Sequence, residues 1–589
     1  MKLSFTETMP RSASSTSARS GWGIVPASGT SFIRELPIVI GAIGLFYSVL
    51  IFARYWSGAV SSQPQISLRP SALPKYALFS VLRIALAYVC SLLFTLVYGY
   101  VAAYNRKAER IMVPLLDTLQ SIPVLSFLPG VMLSMVTLFP NREIGVELGS
   151  ILLIFTGQVW NMTFSFYSSL KTIPSEMREA ATVYGLSWWQ RFWQVELPYA
   201  AIGLIWNSMM SVAGGWFFLM ACEMFVLGSR DFRLPGLGSY LQTAANVGDT
   251  RAIWWGLATM IAVIIMIDQL IWRPVIAWAE KFKVEQVGAA EVPRSAFLDL
   301  LRTSRVIPLL RNSLILPLQE RLNLRFARRQ ESPKAGKTHW WNRWGVRLLS
   351  AAFLAVVVFL AVKILALLLR VSKPELQQIA LGAGATFLRV EAALLLAALW
   401  VVPVGVIIGL RPRLSAIAQP IAQVAASVPA TALFPIILLL LIRAGGGLGI
   451  GSIVLLLLGT QWYILFNVIA GATAIPSDLK EVCQTYRLSR SDRWRQLFLP
   501  AIFPYLITGL VTASGGAWNA SIVAEYFHFR GETISTVGLG AIISRATDAG
   551  DFPMLVAATV VLAVMVVIIN RLVWRRLYAL GSSRFRLEA

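Results

Sequence analysis

Residues 178–198 read REAATVYGLSWWQRFWQVELP, a polar and charged interruption in a chain that is otherwise mostly apolar. Residues 480–500 read KEVCQTYRLSRSDRWRQLFLP and match the first stretch at an offset of 302 positions. Each stretch is followed by a long apolar run. Two copies of one interruption indicate that the chain consists of two related halves.

The repeat extends well beyond these stretches. Residue pairs downstream keep the offset of 302: Trp216 and Trp518, Glu223 and Glu525, Gly248 and Gly550. Residue pairs upstream have an offset of 306: Arg83 and Arg389, Gly99 and Gly405, Pro123 and Pro429. The change of offset falls between the two regions, where loops tolerate insertions. The sequence therefore predicts a tandem repeat.

The composition of the chain excludes an ordinary soluble globule. Of 589 residues, 57% are hydrophobic and 14% are charged, and the mean hydropathy is +0.67. A helix needs roughly 20 apolar residues to cross a bilayer core. Apolar runs of suitable length occur at 37–54, 77–103, 147–168, 199–226, 254–278, 347–370, 378–410, 420–442, 449–472, 501–527 and 553–573. With a proline-interrupted segment at 112–139, we expect an all-α polytopic membrane protein of about twelve spans.

The positions of the basic residues predict the orientation of the spans. The net charge is +23, and much of it lies beside apolar runs rather than in a separate basic domain. These flanking residues are Arg106, Lys107, Arg110, Arg411, Arg413, Arg571, Arg575 and Arg576. If they are cytoplasmic, both termini are cytoplasmic and the halves are parallel, with six spans each. The charge thus indicates contact with the lipid bilayer and no nucleic acid.

The sequence predicts five segments. They are a cytoplasmic N-terminal tail at 1–35, a first membrane domain at 36–280, a basic cytoplasmic linker at 281–346, a second membrane domain at 347–580 and a C-terminal tail at 581–589. The first 35 residues do not have the pattern of a cleaved signal peptide.

The sequence gives little support for a metal site or a nucleotide-binding site. Cys90, Cys222 and Cys483 lie in apolar or amphipathic segments, and neither His339 nor His528 has a ligand-type neighbour at metal-binding spacing. Residues 335–338 read AGKT, like the end of a phosphate loop, but position 331, where such a loop needs glycine, is a glutamate. We therefore expect no catalytic residue, no metal site and no cofactor bound by this chain.

The two interruptions have the pattern of short helical pairs. We define elbow 1 as residues 175–196 and elbow 2 as residues 477–498. Ser175 and Ser187 stand at predicted N-caps, and Gly185 can adopt the left-handed conformation that ends a helix. Arg487 stands where elbow 1 has this glycine. Helices this short are marginal alone, which favours docking on a partner; two ordinary interfacial loops are the alternative.

Elbow 1 resembles the EAA motif of permease subunits in ABC importers. The residues that carry the resemblance are Glu179, Ala180, Ala181, Gly185, Leu197 and Pro198. Their counterparts in elbow 2 are Glu481, Val482, Cys483, Arg487, Leu499 and Pro500, which keep the spacing but replace Ala-Ala and the glycine. The segments 80–83, 121–123, 160–161 and 213–223 are similar to the nitrate, sulfonate, taurine and bicarbonate subfamily.

The resemblance implies a type I importer permease fold with two permease domains fused in one chain. It also implies a bacterial inner membrane, two partner ABC ATPase subunits that bind ATP and Mg, and a substrate-binding protein outside. The implied substrate is a small anion, and the elbows would transmit the motion of the ATPases.

Polar residues inside predicted spans are the candidates for the substrate path, because such residues rarely face lipid. They are Arg83, Arg389, Gln158, Trp160, Asn161, Gln461, Trp462, Glu223, Glu525 and Asn519. A guanidinium matches planar oxyanions, but Arg83 and Arg389 could equally snorkel to headgroups. Glu223 and Glu525 could gate, pair with these arginines or form structural ion pairs. The amides could instead join helices.

Two other functions remain open from the sequence. One is a secondary carrier driven by an ion gradient, which would need intramembrane acids such as Glu223, Glu391 and Glu525. The other is a membrane scaffold that transports nothing. Copurification of an ATPase would favour the importer over both.

Overall fold

The protein is described by a computed structural model over residues 65–140, 143–227, 230–279, 361–443, 447–529 and 532–584, with scattered residues elsewhere. Residues 1–35, most of 37–54, 335–339, most of the linker at 281–346 and residues 585–589 lie outside the described residues. The predicted span at 347–370 is described continuously only from residue 361, and residues 361–368 are helical. Half 1 below means residues 65–279, and half 2 means residues 361–584.

Half 1 is a chain of helices with one small hairpin. Its helices are α1 (Leu73–Tyr104), α2 (Arg106–Ser121), α3 (Leu128–Leu138), α4 (Glu143–Lys171), α5 (Ser175–Val183), α6 (Trp188–Arg191), α7 (Leu197–Glu223), α8 (Leu237–Val247), α9 (Thr250–Ile267) and α10 (Arg273–Ala279). Strands β1 (Val226–Leu227) and β2 (Arg230–Asp231) pair antiparallel between α7 and α8.

Half 2 repeats this order. Its helices are α11 (Lys373–Gly409), α12 (Pro412–Ser427), α13 (Ala430–Arg443), α14 (Leu448–Thr473), α15 (Ser477–Thr485), α16 (Arg490–Arg493), α17 (Leu499–Ala524), α18 (Leu539–Ala549), α19 (Phe552–Ile569) and α20 (Arg575–Arg584). Strands β3 (Tyr526–Phe529) and β4 (Glu532–Ser535) pair antiparallel, with Tyr526 opposite Ser535. The tandem repeat predicted from the sequence is thus present in the fold.

Eight helices in the described part of the chain are long and apolar enough to cross a membrane. They correspond to eight of the predicted spans, and the fold is an all-α polytopic membrane protein. The predicted span at 420–442 is broken, because α12 and α13 meet at an angle of 84°. The predicted span at 112–139 is broken as well, into α2, a 3₁₀ turn at Val124–Phe127 and α3. Pro123 and Pro429 lie in these breaks, where proline disfavours continuous helix.

The long helices of each half pack around one central helix. In half 1, α4 packs between α1 and α7, and in half 2, α14 packs between α11 and α17. Small residues allow the close approach: Gly99 of α1 faces Phe166 of α4, and Gly409 of α11 faces Ala472 of α14. Close packing of small residues is a main source of helix association in lipid, where no hydrophobic effect drives it.

Four π-helical turns occupy matching places in the two halves. One turn joins α6 to α7 at Phe192–Glu196, and its counterpart joins α16 to α17 at Trp494–Phe498. Another joins α9 to α10 at Asp268–Trp272, and its counterpart joins α19 to α20 at Asn570–Trp574. Each turn widens the helix locally, a feature that is often found at functional sites.

The halves meet through reciprocal contacts. Helix α2 contacts α19, and its counterpart α12 contacts α9. Likewise α8 contacts β3, and α18 contacts β1. This exchange is the pattern expected of two parallel repeats around an axis that runs between them.

Candidate functional site

Ion cluster 1 consists of Ser80, Arg83, Glu147 and Glu223, four side chains without exposed surface. Arg83 donates from Nε and Nη2 to the two oxygens of Glu147 at 2.7 and 2.6 Å. Its Nη1 donates to Glu223 Oε1 at 2.7 Å and to the Pro235 carbonyl at 2.9 Å. Ser80 Oγ donates to the same oxygen of Glu223 at 2.7 Å. The cluster thus joins α1, α4 and α7 by charge-assisted hydrogen bonds, which are the strong ones.

The first turn of α8 closes over this cluster. The Gly238 amide donates to Glu223 Oε2 at 2.7 Å, and the Leu237 amide donates to Ser80 Oγ at 3.0 Å. A carboxylate at a helix N-terminus is favoured by the helix dipole. Gly236 is required here because a Cβ at this position would collide with the Glu223 carboxylate.

Ion cluster 2 consists of Thr386, Arg389 and Glu525 in half 2. Thr386 Oγ1 and Arg389 Nη1 both donate to Glu525 Oε1 at 2.8 Å. Arg389 Nη1 also donates to the Val537 carbonyl at 2.6 Å, and Nη2 donates to Thr536 Oγ1 at 2.9 Å. These residues stand at the repeat positions of Ser80, Arg83 and Glu223.

The first turn of α18 closes over cluster 2 in the same way. The Gly540 amide donates to Glu525 Oε2 at 2.8 Å, and the Leu539 amide donates to Thr386 Oγ1 at 2.9 Å. A Cβ on Gly538 would collide with the Glu525 carboxylate. The repeat aligns Gly236 with Gly538 and Gly238 with Gly540, and the approach of a helix start to a buried acid explains both pairs.

Both clusters lie far from the elbows. Helix α7 begins beside elbow 1, has 27 residues and ends at Glu223, a length of about 40 Å at the usual rise per residue. Glu525 follows the end of α17 in the same manner. We call the end of the molecule that holds the clusters the far side.

The arginine–glutamate pairing was one of the alternatives left open by the sequence, and it is present in both halves. The Arg83 side chain has no exposed surface, whereas 14% of the Arg389 side chain is exposed. Arg83 therefore does not snorkel to headgroups in this conformation. A role for these four residues in contacting substrate stays a prediction.

Elbow 1 ends its first helix with a Schellman motif. The Gly185 amide donates to the Thr182 carbonyl and the Leu186 amide donates to the Ala181 carbonyl, both at 3.0 Å. Gly185 has a φ of 62°, the left-handed conformation that this motif needs. The predicted role of Gly185 in ending the helix is confirmed.

Elbow 2 is built in the same way without the glycine. Arg487 has a φ of 50°, and among the described residues it alone is a non-glycine with positive φ. The Leu488 amide still donates to the Cys483 carbonyl, at 3.1 Å. Elbow 2 therefore keeps the backbone shape of elbow 1 and places a strained non-glycine residue at the end of its first helix.

The second helix of each elbow is capped by serine, as predicted. Ser187 Oγ accepts from the Gln190 amide at 3.3 Å, and Ser489 Oγ accepts from the Asp492 amide at 3.2 Å. The predicted cap at Ser175 is wrong: Ser175 is already the first residue of α5, and Pro174 occupies the N-cap position without a side-chain bond.

The predicted coupling residues divide into exposed and packed ones. Exposed residues are Glu179, Ala180, Gly185, Glu481, Arg487 and Leu499. Ala181 is buried, and Leu197, Pro198 and Pro500 are half-buried at the starts of α7 and α17. Beside them, the tips of the elbows expose large apolar side chains: 85% of Val183, 81% of Tyr184 and 76% of Tyr486.

A polar link that the sequence did not suggest ties elbow 1 to the membrane helices. Glu196 Oε1 accepts from Tyr104 Oη of α1 and from Arg191 Nε, each at 2.7 Å. Arg178 Nη2 donates to the Leu170 carbonyl of α4 at 2.7 Å. Elbow 2 has Phe498 where elbow 1 has Glu196, so it lacks this polar link.

Of the predicted mid-membrane residues, some lie between the halves. Asn519 Oδ1 of half 2 accepts from the Leu125 amide of half 1 at 3.4 Å. Next to Trp462, the Tyr463 hydroxyl lies against Gly214 of the other half. These contacts place α14 and α17 at the boundary between the halves.

The other mid-membrane candidates lie within one half or at its surface. Gln158 is buried against Gly215 of α7, and its amide atoms have no hydrogen-bond partner among the described residues. Asn161 Oδ1 accepts from Gln120 Nε2 at 3.2 Å. Trp160 and Trp462 are half-buried, and Gln461 is buried. Their place in a substrate path stays a prediction.

A small cavity lies where α7 and α9 of half 1 meet α12 of half 2. Its volume is about 10 Å³, and its polar lining includes Asp268, Gln423 and Ser427. Such a volume holds about one water molecule. This part of the boundary between the halves is therefore closed to a larger solute in this conformation.

Glu147 was not among the candidates from the sequence, although it completes cluster 1. The signal was available, since an acid at the start of an apolar run is costly unless paired. What the sequence could not show is that α4 turns this residue toward Arg83 rather than toward headgroups.

Comparison with known proteins places the chain in context. A family model described as binding-protein-dependent transport system inner membrane component matches it twice, over residues 95–270 and 401–585. These two ranges together cover more than half of the 589 residues.

Individual relatives include transport permeases. The nitrate import permease protein NrtB of Leptolyngbya laminosa is 30% identical over 190 residues, which are 32% of this chain and 64% of that protein. The bicarbonate transport system permease protein CmpB of Synechococcus elongatus is 28% identical over 32% of this chain and 65% of that protein. The taurine transport system permease protein TauC of Escherichia coli is 28% identical over 39% and 78%, respectively. The chain thus spans slightly less than two thirds of the first two relatives.

Proposed function

Because this chain belongs to the family of binding-protein-dependent transport system inner membrane components, as two ABC importer permease domains in one polypeptide, we propose that it forms the substrate path of an ATP-driven importer for a small anion. Nitrate and bicarbonate are the first candidates, since relatives are named for their import. We also propose that the domains extend over 36–280 and 347–580. The location would be a bacterial inner membrane, with both termini on the elbow side.

The observation that carries the proposal is the pair of exposed apolar elbow tips. Val183 and Tyr184 at the tip of elbow 1 are more than four-fifths exposed, and Tyr486 of elbow 2 is 76% exposed. A nine-residue helix such as α5 is marginal by itself. Two such tips, one per half, suit a pair of ATPase subunits that present apolar grooves from the cytoplasm.

Motion of an ATPase would reach the membrane helices through short connections. Elbow 1 continues through a π turn directly into α7, and the Glu196–Tyr104 bond ties it to α1. A tilt of elbow 1 would therefore move α1 and α7, two of the three helices that hold cluster 1 on the far side. ATP and Mg would bind to the partner subunits, and a substrate-binding protein would deliver the anion to the far side.

The two elbows would not dock identically. Elbow 1 has three acidic and two basic residues, whereas elbow 2 has three acidic and five basic residues. Trp188 and Trp193 of elbow 1 are replaced by Arg490 and Arg495 in elbow 2. We expect the ATPase surface at elbow 2 to be the more acidic one, and its docking to be the more sensitive to salt.

An ion-gradient carrier has less support from the geometry. Such a carrier needs intramembrane acids that can exchange ions or protons. Glu223 and Glu525 are both held by an arginine, a hydroxyl and a backbone amide. A scaffold that transports nothing would need no residue that couples ATP hydrolysis to the movement of a substrate.

Charge reversal at Glu179 tests the coupling. In the complex of the full chain with its copurified ATPase, Glu179→Lys should leave assembly partly intact and abolish ATP hydrolysis stimulated by the anion and its binding protein. Glu320→Lys, which reverses an exposed charge in the stretch between the two halves, is the matched control and should leave stimulation intact. Normal stimulation in the Glu179 variant, or failure of any ATPase to copurify, would overturn the proposal.

A further inference from the structure

The two ion clusters differ on one edge of the arginine. In cluster 1, Glu147 occupies the edge formed by Nε and Nη2 of Arg83, with one oxygen on each nitrogen at 2.7 and 2.6 Å. The residue at the repeat position of Glu147, at the offset of 302 that aligns Trp160 with Trp462, is Gly449. At this repeat position, half 2 therefore has a glycine in place of the acid that occupies the edge of Arg83.

The edge of Arg389 is only partly used. Nη1 is fully engaged by Glu525 and the Val537 carbonyl, and Nη2 donates to Thr536 Oγ1. Nε has no acceptor among the described residues. Since Thr536 accepts this bond, its hydroxyl hydrogen can donate to an added ligand.

Gly449 stands in open space in the described structure. A Cβ built on Gly449 would meet no atom within 4 Å in the described structure. Gly449 itself is exposed, and the Arg389 side chain is 14% exposed, whereas Arg83 is completely covered. Val537, whose carbonyl accepts from Arg389, is 65% exposed. The Nε and Nη2 edge of Arg389 therefore lies close to the far-side surface.

We propose that the Nε and Nη2 edge of Arg389 binds a planar oxyanion, with two oxygens where the Glu147 carboxylate lies in half 1. The inference rests on the proposed function and sharpens it, since it assigns one anion site per chain, in half 2, at the entrance opposite the elbows. A guanidinium edge matches two oxygens of one planar group. Nitrate and bicarbonate have this geometry, and chloride does not.

The repeat supplies a variant that fills the site from within. Gly449→Glu places a carboxylate on the same helix position as Glu147, in open space near the start of α14, where an acid suits the helix dipole. Its carboxylate should compete for the Arg389 edge. Gly449→Ala is the matched control, because its methyl group meets no neighbour.

The experiment measures binding of nitrate, bicarbonate and chloride, each alone, to the full chain in lipid nanodiscs by titration calorimetry. We expect nitrate or bicarbonate to bind at one site per chain and chloride to bind more weakly. Gly449→Glu should weaken the binding about tenfold or more, the size of a lost charged hydrogen-bond pair. Gly449→Ala should bind as the unmodified chain does.

Three results would overturn the site: no binding of either oxyanion, unchanged binding in Gly449→Glu, or chloride binding as tight as that of the oxyanions. Uptake by the complete complex separates this inference from the proposed function. ATP-driven uptake at the normal rate in Gly449→Glu would be consistent with the proposed importer but would rule out the anion site at Arg389. Uptake that does not depend on ATP would rule out the proposed ATP-driven importer. The anion site at Arg389 would then still be judged by the calorimetric result.

Discussion

Gly185 and Arg487 hold the same left-handed backbone conformation at the same place in the two elbows, with φ of 62° and 50°. A side chain in this conformation costs about 1 kcal/mol relative to glycine. Elbow 2 therefore carries a strain that elbow 1 does not.

Glycine at position 487 should relieve the backbone strain in elbow 2, and arginine at position 185 should introduce the same strain in elbow 1. Arg487→Gly should slow hydrogen exchange of the Leu488 amide, which bonds the Cys483 carbonyl, by about fivefold. Gly185→Arg should speed exchange of the equivalent Leu186 amide by a similar factor. Mass spectrometry of peptides from the two elbows measures both, and faster exchange in Arg487→Gly would contradict the explanation.

Removal of the Tyr104 hydroxyl should loosen elbow 1. In Tyr104→Phe, Glu196 loses a 2.7 Å bond while 1% exposed, and a bond to a charged group contributes about 1.5–3 kcal/mol. We expect a lower unfolding midpoint and less ATP hydrolysis per anion-loaded binding protein. Tyr184→Phe, at a site 81% exposed, should leave the midpoint unchanged. Equal midpoints for the two variants would show that the link does not stabilise the elbow.

Alanine at Gly236 or Gly538 should disrupt the closure of the clusters. The added methyl group collides with the carboxylate of Glu223 or Glu525, and overpacking in a core costs about 1–3 kcal/mol. Thermal unfolding of the purified variants measures the loss. Gly515→Ala in α17, where a Cβ meets no atom within 4 Å, is the control, and a loss as large there would argue against the collision.

Neutralisation of Glu147 should destabilise half 1 strongly. Glu147→Gln leaves a fully buried Arg83 with one carboxylate in place of two, and breaking a buried pair costs about 3–5 kcal/mol. Glu179 is exposed and forms no ion pair among the described residues, so Glu179→Gln should change the unfolding midpoint little. A small effect of Glu147→Gln would mean that Arg83 needs only Glu223.

The repeat and most membrane spans could be predicted from the sequence because both depend on spacing along the chain. The break in the predicted span at 420–442 could not, since the length of an apolar run does not reveal the 84° bend between α12 and α13. The proline before the bend was visible, but its effect depends on what packs against it.

The two ion clusters could be predicted only in part, because charged residues in apolar runs are visible in the sequence and the packing of the helices is not. Arg83 and Glu223 stood out as charged residues within apolar runs, and their pairing follows from the cost of leaving either alone. Which edge of the guanidinium each acid occupies depends on how α4 lies against α1. The consequence for half 2 follows from Gly449, which stands at the repeat position of Glu147.

The four π turns also bear on the history of the chain. Such a wide turn arises when a helix accommodates one additional residue, and each turn here has a counterpart at the offset of 302. Independent insertions at two matching pairs of places would be a coincidence. The matching pairs are what a common origin of the two halves predicts, while Gly185 and Arg487 mark a position at which the halves now differ.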